Sequence, residues 1–261
     1  MNIAEKLQAI AENEQKVKEL NDELESILYG TDTGGRSWRE NFWHNIWYEP
    51  DGSLRTYYRN AFGTWCNVNT FKPIYIDEVI QITGTNGTEM FKSFNRDRYA
   101  NAELLDMSEF CRHFDFSGIT TADSLFRDAR VKNVTVNLEN CTNMSYAFAH
   151  INGGAFENIT LKVSGKCTNY TNAFANTTTL KTITFTDDSV IAANIDLSTS
   201  RSLSKESIES VINALSTDVT GKVLTLKKTT VQTAFGTTDL DNSTEWTTLK
   251  GGKSNWTIAL A

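Results

Sequence analysis

One eight-residue pattern occurs three times in this chain, as Ile-Thr-Thr-Ala-Asp-Ser-Leu-Phe at 119–126, Cys-Thr-Asn-Met-Ser-Tyr-Ala-Phe at 141–148 and Cys-Thr-Asn-Tyr-Thr-Asn-Ala-Phe at 167–174. Each copy is followed by a triplet in which threonine separates two apolar residues, and the triplets lie at 134–136, 159–161 and 183–185. The triplets are 25 and 24 residues apart. Self-similarity at a fixed spacing of this size is typical of repeat proteins.

The apolar-Thr-apolar triplets predict short strands with one buried face. A unit with one short strand cannot bury its own apolar face, so it must stack on its neighbours, as the units of a solenoid do. Successive strands would lie about 4.8 Å apart in a parallel sheet, with the central threonine pointing outward. A weaker copy precedes the three, with a strand at 81–83 and an aromatic turn at 90–94. We therefore predict a β-rich α+β fold built on a solenoid of short parallel strands.

Two of the four cysteines occupy one column of the repeat. Cys141 and Cys167 align with Ile119, and a cysteine that takes the place of an isoleucine is expected to fill the core as a small hydrophobic side chain. The chain has no Cys-x-x-Cys pair, so neither a zinc site nor a redox motif is indicated. Cys66 and Cys111 lie outside the column, and the sequence leaves their roles open.

The first 30 residues predict an amphipathic helix, because 3–28 contain neither glycine nor proline. Their apolar positions follow a heptad-like spacing: Ile3, Leu7, Ile10, Val17, Leu24 and Leu28. An isolated helix of this length is marginal in water, so the apolar stripe needs a cover. That cover is either a second copy of the helix, in a coiled-coil-like oligomer, or the body of the same chain. The narrow stripe and its place at a terminus favour oligomerisation or attachment through these six residues.

Residues 31–73 begin as a linker and become rich in aromatic side chains. Aromatic rings with polar tips can stack on a sugar or a base. They can also form a layer that covers the end of a hydrophobic stack, because each ring buries a large area. We favour the cap, and the ligand-binding alternative stays open for five residues: Trp43, Trp47, Tyr48, Tyr57 and Tyr58.

Residues 198–261 predict an α/β cap. Ser204 begins a helix whose apolar residues recur at i, i+3, i+4 and i+7: Ile208, Val211, Ile212 and Leu215. A strand at 223–226, a short helix around Trp246 and Leu249 and a last strand at 256–260 follow. A repeat array without a cap would expose apolar surface and strand edges. The chain thus divides into an N-terminal helix at 1–30, a linker and aromatic N-terminal cap at 31–73, a repeat region at 74–197 and a C-terminal cap at 198–261.

Charge and motif content exclude several classes of function. The net charge is −7 and no concentrated basic face is visible, so we expect no nucleic-acid partner. No apolar run reaches 18 residues and no classical secretory signal opens the chain, so we expect no membrane insertion. Metalloprotease, nucleophile-elbow and phosphate-loop motifs are missing, so we expect no enzyme, no cofactor and no metal. The aspartates at 187–188 and 239–241 are weak calcium candidates and are more simply solvated turns.

The repeat resembles the BspA-type leucine-rich repeat, in which an Ala-Phe pair precedes a leucine by about six residues and a short apolar strand follows. The resemblance covers about 115–190 and is clear where the Ala-Phe pair at 173–174 precedes Leu180 and the strand at 183–185. The flanks are similar to repeat proteins of bacteriophages and prophages that infect Gram-positive gut bacteria. The similar segments are the opening Met-x-Ile-Ala-Glu-Lys-Leu and Glu-Asn-Glu-Gln-Lys-Val at 1–7 and 12–17, and the closing stretches at 203–212, 224–226 and 255–258.

The resemblance implies a phage virion protein that is made in the bacterial cytoplasm and carried in the tail. In a tail fibre or tail tip, the N-terminal helix would attach the protein or form a homo-oligomer. The repeat would then present a surface to a glycan or protein of the host cell. A second hypothesis is a structural tail or baseplate component that contacts only other virion tail proteins. A third is a bacterial surface adhesin, which the missing signal and anchor disfavour.

Overall fold

The computed structural model describes residues 3–29, 80–81, 85–94, 104–108, 111 and 114–261. The chain divides into two compact units, Met1–Arg55 and Thr56–Ala261. Within the described residues the fold is mixed α/β, and its sheets are small and parallel. The linker and aromatic segment at 31–73 lie outside the described residues.

The first unit contributes one helix, α1, at Ile3–Tyr29. Its 27 residues include no glycine or proline, so nothing interrupts its backbone hydrogen bonding. On the exposed surface, Gln8 Nε2 donates to Glu12 Oε1 at 3.0 Å and Gln15 Nε2 donates to Glu19 Oε1 at 2.9 Å. Pairs four residues apart stabilise a solvated helix by a few tenths of a kcal/mol. Helix α1 therefore spans the residues for which the heptad-like spacing of apolar positions predicts a helix.

The second unit contains short strands and three helices in its described residues. The strands are β1 Ile80–Gln81, β2 Leu105–Asp106, β3 Phe114–Asp115, β4 Arg130–Lys132, β5 Val134–Leu138, β6 Ala155–Phe156, β7 Asn158–Val163, β8 Thr182–Phe185, β9 Ile195–Leu197, β10 Lys222–Leu226 and β11 Trp256–Leu260. The helices are α2 Lys205–Ala214, α3 Lys228–Ala234 and α4 Thr244–Gly251. The sheets have the strand orders β1-β3, β2-β4-β6, β5-β7-β8 and β9-β10-β11.

Equivalent positions of successive repeats pair with one another in parallel. Val134 pairs with Ile159, and Ile159 pairs with Ile183, so the three predicted triplets are neighbours in the sheet β5-β7-β8. Their flanking apolar residues are buried, and the central Thr135 and Thr184 are exposed. The copies at 130–138 and 155–163 each contain two strands where the sequence predicts one. The additional strands, β4 and β6, have too few residues to show an alternating pattern.

The centre of this unit is a column of stacked phenylalanines. The ring centroids of Phe91 and Phe126 are 4.7 Å apart, those of Phe126 and Phe148 are 5.8 Å apart, and those of Phe148 and Phe174 are 5.5 Å apart. Each pair is within about 10° of parallel. All four rings are inaccessible to solvent. Ile119, Cys141 and Cys167 are also fully buried, as expected if the two cysteines fill the core at positions equivalent to an isoleucine.

Phe148 follows Phe126 by 22 residues and Phe174 follows Phe148 by 26, and the longer interval contains an inserted loop at 150–154. The loop is fixed by the buried carboxylate of Asp128, whose Oδ1 accepts hydrogen bonds from the amides of Ile151 at 2.6 Å and Asn152 at 2.8 Å. A Cβ atom on Gly154 would lie 2.7 Å from the Asp128 Cα, so only glycine fits there. The insertion therefore leaves the stacking of the repeats undisturbed.

Helix α2 closes the last edge of the sheet β5-β7-β8. Ser204 caps the helix by accepting a hydrogen bond from the Ser207 amide, as the sequence predicts. Two serine hydroxyls of the helix then accept hydrogen bonds from the outward amides of β8. Ser207 Oγ is 3.1 Å from the Ile183 nitrogen, and Ser210 Oγ is 2.8 Å from the Phe185 nitrogen. The two amides on the free edge of β8 therefore have acceptors although no further strand pairs with them.

The C-terminal sheet is separate from the repeat sheets. Strand β10 lies between β9 and β11, and Leu224 pairs with Ile195 on one side and Ile258 on the other. Ile195–Leu197 therefore pairs with the C-terminal strands, although the sequence division places it at the end of the repeat region. Trp246 of α4 is buried as expected for the predicted short helix. Helix α3 is not predicted, because its seven residues carry no apolar periodicity and no side-chain cap.

We predict that Phe148→Ala lowers the free energy of unfolding by about 3–5 kcal/mol, because it leaves a cavity between two stacked rings. Denaturant unfolding of the full chain measures this loss. Val190→Ala is the control, since Val190 is 37% exposed and its truncation should cost about 0.5 kcal/mol or less. Equal stability of the Phe148→Ala variant and the wild type would contradict the stacked core.

We predict that Ser207→Ala lowers the free energy of unfolding by about 1–2 kcal/mol, because the buried Ile183 amide loses its acceptor while alanine slightly favours the helix. The same unfolding measurement applies. Ser202→Ala is the matched control, since Ser202 is exposed and its hydroxyl makes only a 3.5 Å contact with the Thr178 carbonyl. If the Ser207→Ala variant is as stable as the Ser202→Ala control, the Ser207 hydroxyl does not stabilise the sheet edge.

Candidate functional site

The candidate ligand-binding aromatics of the sequence analysis lie outside the described residues: Trp43, Trp47, Tyr48, Tyr57 and Tyr58. Cys66 lies outside them as well. The described side chains that can form a site therefore include those of α1 and those on the surface of the repeat region.

The apolar stripe of α1 is exposed at the positions that the structure describes. Ile10 is 53% exposed, Val17 is 58% exposed and the neighbouring Leu20 is 64% exposed. A shallow apolar groove runs between Ile10 and Val17 on this face. The side chains of the other candidate contact residues are outside the described set: Ile3, Leu7, Leu24 and Leu28. An apolar stripe on an otherwise polar helix is the surface that a partner helix requires.

Side chains able to perform acid–base, nucleophilic or metal chemistry are dispersed. In the described part of the chain, no three His, Cys, Asp or Glu residues come together in a way that could hold a metal ion. Cys111, Cys141 and Cys167 are buried free thiols, and burial raises the pKa of Cys111 to about 12. That thiol stays protonated and unreactive at neutral pH. Burial lowers the pKa of His150 to about 4, so its neutral ring stacks on Phe156 with centroids 4.6 Å apart.

Two of the aspartates considered as calcium ligands, Asp188 and Asp239, have other partners. Asp188 Oδ2 is 2.8 Å from Lys162 Nζ, and this contact holds the pKa of Asp188 below its usual value. Lys162 Nζ is also 2.9 Å from Glu139 Oε2, so one ion-pair ladder links three consecutive repeats. Asp239 accepts hydrogen bonds from the backbone and side-chain nitrogens of Asn242 and so fixes a turn.

No helix within the described ranges combines the length and the apolar character needed to cross a bilayer. With no metal cluster and no reactive thiol among the described residues, the polar surface of the repeats is the candidate site.

One side of the repeat region consists of stacked turns, which we call the turn ladder: residues 87–94, 122–129, 144–151 and 170–177. Within each row, every second amide donates to the carbonyl three residues earlier, as Ala147 does to Met144 at 3.1 Å. The amides in between donate to the next row. Tyr146, for example, donates to Thr171 at 3.0 Å, and Phe148 donates to Ala173 at 2.8 Å. The backbone-to-backbone bonds that these alternate amides make between rows therefore all run in one direction along the ladder.

The backbone of the turn ladder has a left-handed residue at the same place in every row. This residue is Glu89, Ser124, Tyr146 and Asn172 in turn, with φ between 53° and 58°. Non-glycine residues adopt this conformation rarely, so the same choice in four rows is a property of the repeat. It turns the alternate amides towards the following row.

The edge of the turn ladder carries rows of threonine and asparagine side chains, which we call the polar face: Thr120, Thr142, Thr168, Asn143 and Asn169. Each threonine hydroxyl donates to the carbonyl of the threonine before it, as Thr142 does to Thr120 at 3.0 Å. Asn169 Nδ2 donates to Asn143 Oδ1 at 2.9 Å. Each asparagine Oδ1 also accepts the amide two residues later in its own row. The polar face is therefore held in register by its own hydrogen bonds.

A groove of about 370 Å³ lies at the C-terminal end of the polar face. One wall is the last row of the turn ladder, including Tyr170 and Asn172, and the other consists of residues of β9 and β10, including Asp196, Lys222 and Thr225. The groove exists because β9 pairs with β10 instead of following the last row. Sequence reasoning missed it, since nothing in the local pattern at 193–196 indicates which sheet the next strand joins.

The chain matches no protein-family model, and no curated protein and no solved structure is similar enough to it to count as a match.

We predict that Ile10→Glu combined with Val17→Glu converts the full-length protein from an oligomer to a monomer of 29.3 kDa, because two charges then lie in the apolar stripe. Sedimentation equilibrium measures the mass. Gln8→Lys combined with Gln15→Lys is the control, since it adds two charges on the opposite side of α1, where each lysine can pair with the glutamate four residues later. This control should leave the mass unchanged. A wild-type mass of one chain, or no effect of the first pair, would exclude α1 as the assembly element.

Proposed function

We propose that this protein is a bacteriophage virion component, at a tail fibre or tail tip, whose repeat region binds a receptor on the host cell surface. The observation that carries the proposal is the polar face, in which threonine and asparagine side chains recur at one spacing and are fixed by hydrogen bonds between rows. The resemblance to phage and prophage repeat proteins at both ends of the chain supports it.

We also propose that the repeat region is a solenoid of the leucine-rich-repeat kind. Parallel pairing of equivalent positions, such as Val134 with Ile159, supports this arrangement. So does the pairing of Thr121 with Asn143 and of Asn143 with Asn169, because those residues occupy one column of the sequence repeat. In such a fold each row is held by the rows before and after it.

The polar face suits a glycan or a polar protein surface for a physical reason. Hydroxyl and amide groups both donate and accept hydrogen bonds, and the hydroxyls of sugars do the same. Each contact of this kind is weak, since it replaces a contact with water. A preorganised surface adds such contacts with little loss of conformational entropy, and several copies on one particle multiply the effect.

The exposed stripe of α1 supports a role in attachment or homo-oligomer formation. Oligomerisation would place several polar faces on one particle, which receptor binding at low intrinsic affinity requires. The alternative function, a structural tail or baseplate part without receptor contact, uses the same helix and needs no free polar face. The two functions therefore differ in whether the polar face must be accessible.

We predict that the fluorescently labelled full-length protein stains intact host cells, and that Thr142→Arg combined with Thr168→Arg reduces the staining at least tenfold, because two large side chains then cover the polar face. Flow cytometry measures the staining. Thr220→Arg combined with Thr229→Arg is the control, since it introduces the same charge at exposed positions of the C-terminal cap.

Loss of staining after removal of surface polysaccharide would identify the receptor as a glycan, and its persistence would identify a protein. Firm retention in dissociated tails without any staining of cells would favour the structural role and would contradict receptor binding.

A further inference from the structure

The last row of the turn ladder ends with backbone donors for which the described residues supply no acceptor. In the two rows before it, every second amide donates forward, as Met144 does to Asn169 and Tyr146 does to Thr171. The corresponding amides of the last row have no hydrogen-bond partner in the described part of the chain: Tyr170, Asn172, Phe174 and Asn176. Because the rows repeat one another, these amides point towards the C-terminal side, and among the four residues Tyr170 and Asn172 line the groove.

The open end of the turn ladder contrasts with the closed end of the sheet beside it. There, Ser207 and Ser210 supply hydroxyl acceptors to the two outward amides of β8. Among the described residues, no side chain does the same for Tyr170 and Asn172, although threonine and asparagine residues line the same groove. Backbone amides without an acceptor are rare away from water, so a row of them beside a groove is a site for an external acceptor.

The opposite wall of the groove adds a positive charge. Lys222 lines the groove, and its side chain forms no ion pair or hydrogen bond within the residues that the structure describes. Oriented amide dipoles and an unpaired lysine both favour negative charge. Asp196 lies on the same wall, with Oδ1 accepting the Ser198 amide at 2.8 Å. Its remaining oxygen can accept a hydrogen bond from a hydroxyl group.

A protein strand is a poor match for this row. An extended strand presents donors and acceptors in alternation, whereas the last row offers donors only, since the carbonyls of Tyr170 and Asn172 already accept the amides of Ala173 and Ala175. An oxyanion accepts from adjacent donors and needs to donate nothing. The second oxygen of the exposed Asp196 carboxylate favours a ligand that also carries hydroxyl groups.

We propose that this groove binds an oxyanion carried by a polyhydroxylated ligand, a carboxylate or phosphate group held by the Tyr170 and Asn172 amides and by Lys222. This inference deepens the receptor-binding function proposed above and rests on it for the biological source of the ligand. A sugar acid and a polyol phosphate share the required chemistry, and the experiment below distinguishes them.

The test is a titration of the full-length, isotope-labelled protein, followed by transverse-relaxation-optimised amide spectra. The probes are glucuronate, glycerol phosphate and, as the uncharged control, glucose. Binding should move the amide protons of Tyr170 and Asn172 downfield, because they gain a charged acceptor. The amides of Met144 and Tyr146 should not move, because their acceptors are already in place. A response to glucuronate alone identifies a sugar acid, and a response to glycerol phosphate alone identifies a polyol phosphate.

Two variants test the residues that hold the anion. Asn172→Asp keeps a side chain that tolerates the left-handed conformation and can still contact the Tyr146 hydroxyl, but it places a negative charge in the groove. Lys222→Gln removes the positive charge. Each should weaken binding of the responding probe by about tenfold. Asn176→Asp, at another exposed left-handed position outside the groove lining, and Lys228→Gln should each change binding less than about twofold.

No response of the Tyr170 and Asn172 amides to either anion would overturn the proposed site, and so would an equal response to glucose. Equal weakening by Asn172→Asp and Asn176→Asp would also overturn it, since that result indicates a general charge effect. If the anions fail to bind while the protein still stains host cells, the oxyanion site is wrong and receptor binding stands. If the anions bind while cells remain unstained, receptor binding is wrong and the site stands.

Discussion

Each described repeat of this protein depends on stacking its phenylalanine against the phenylalanine of the next repeat. Phe91, Phe126, Phe148 and Phe174 form one buried column, and neighbouring rings are nearly parallel. A single ring on one turn of chain would remain half solvated, so no repeat can fold without the adjacent one. The stacking therefore fixes the register of the turn ladder, the sheets and the polar face together. Insertions such as the loop at 150–154 are tolerated because they leave this column intact.

The sequence predicts the features that follow from side-chain alternation and from local caps. The triplets beginning at Val134, Ile159 and Ile183 pair in the order that their spacing indicates, and Ser204 begins the helix that closes the sheet. Features decided by partners distant in the chain escape such reasoning. The strand at 195–197 joins the C-terminal sheet, and only that choice opens the groove. The orientation of the amides at 170 and 172 likewise depends on backbone dihedral angles that side-chain identity does not encode.

The candidate site combines two kinds of polar group with different roles. Threonine and asparagine side chains of the polar face are mutually bonded, which makes the surface rigid, while their second hydrogen-bonding positions remain available. The Tyr170 and Asn172 amides at the end of the turn ladder have no acceptor among the described residues, and the repetition of the rows directs both to the same side. A ligand with many hydroxyl groups fits the first kind, and a charged group on the same ligand fits the second. The interpretation of this protein as a receptor-binding virion component is thus tied to a definite ligand chemistry.

Because the alternate amides of each row donate to the following row, the two ends of the turn ladder differ: the last row has donors without an acceptor among the described residues. A duplicated unit inserted before the last row would receive the forward amides of its predecessor and offer its own to the row after it. The array would lengthen, and the terminal groove would move outward unchanged. Tandem duplication could therefore vary the reach of the protein while conserving the chemistry at its tip.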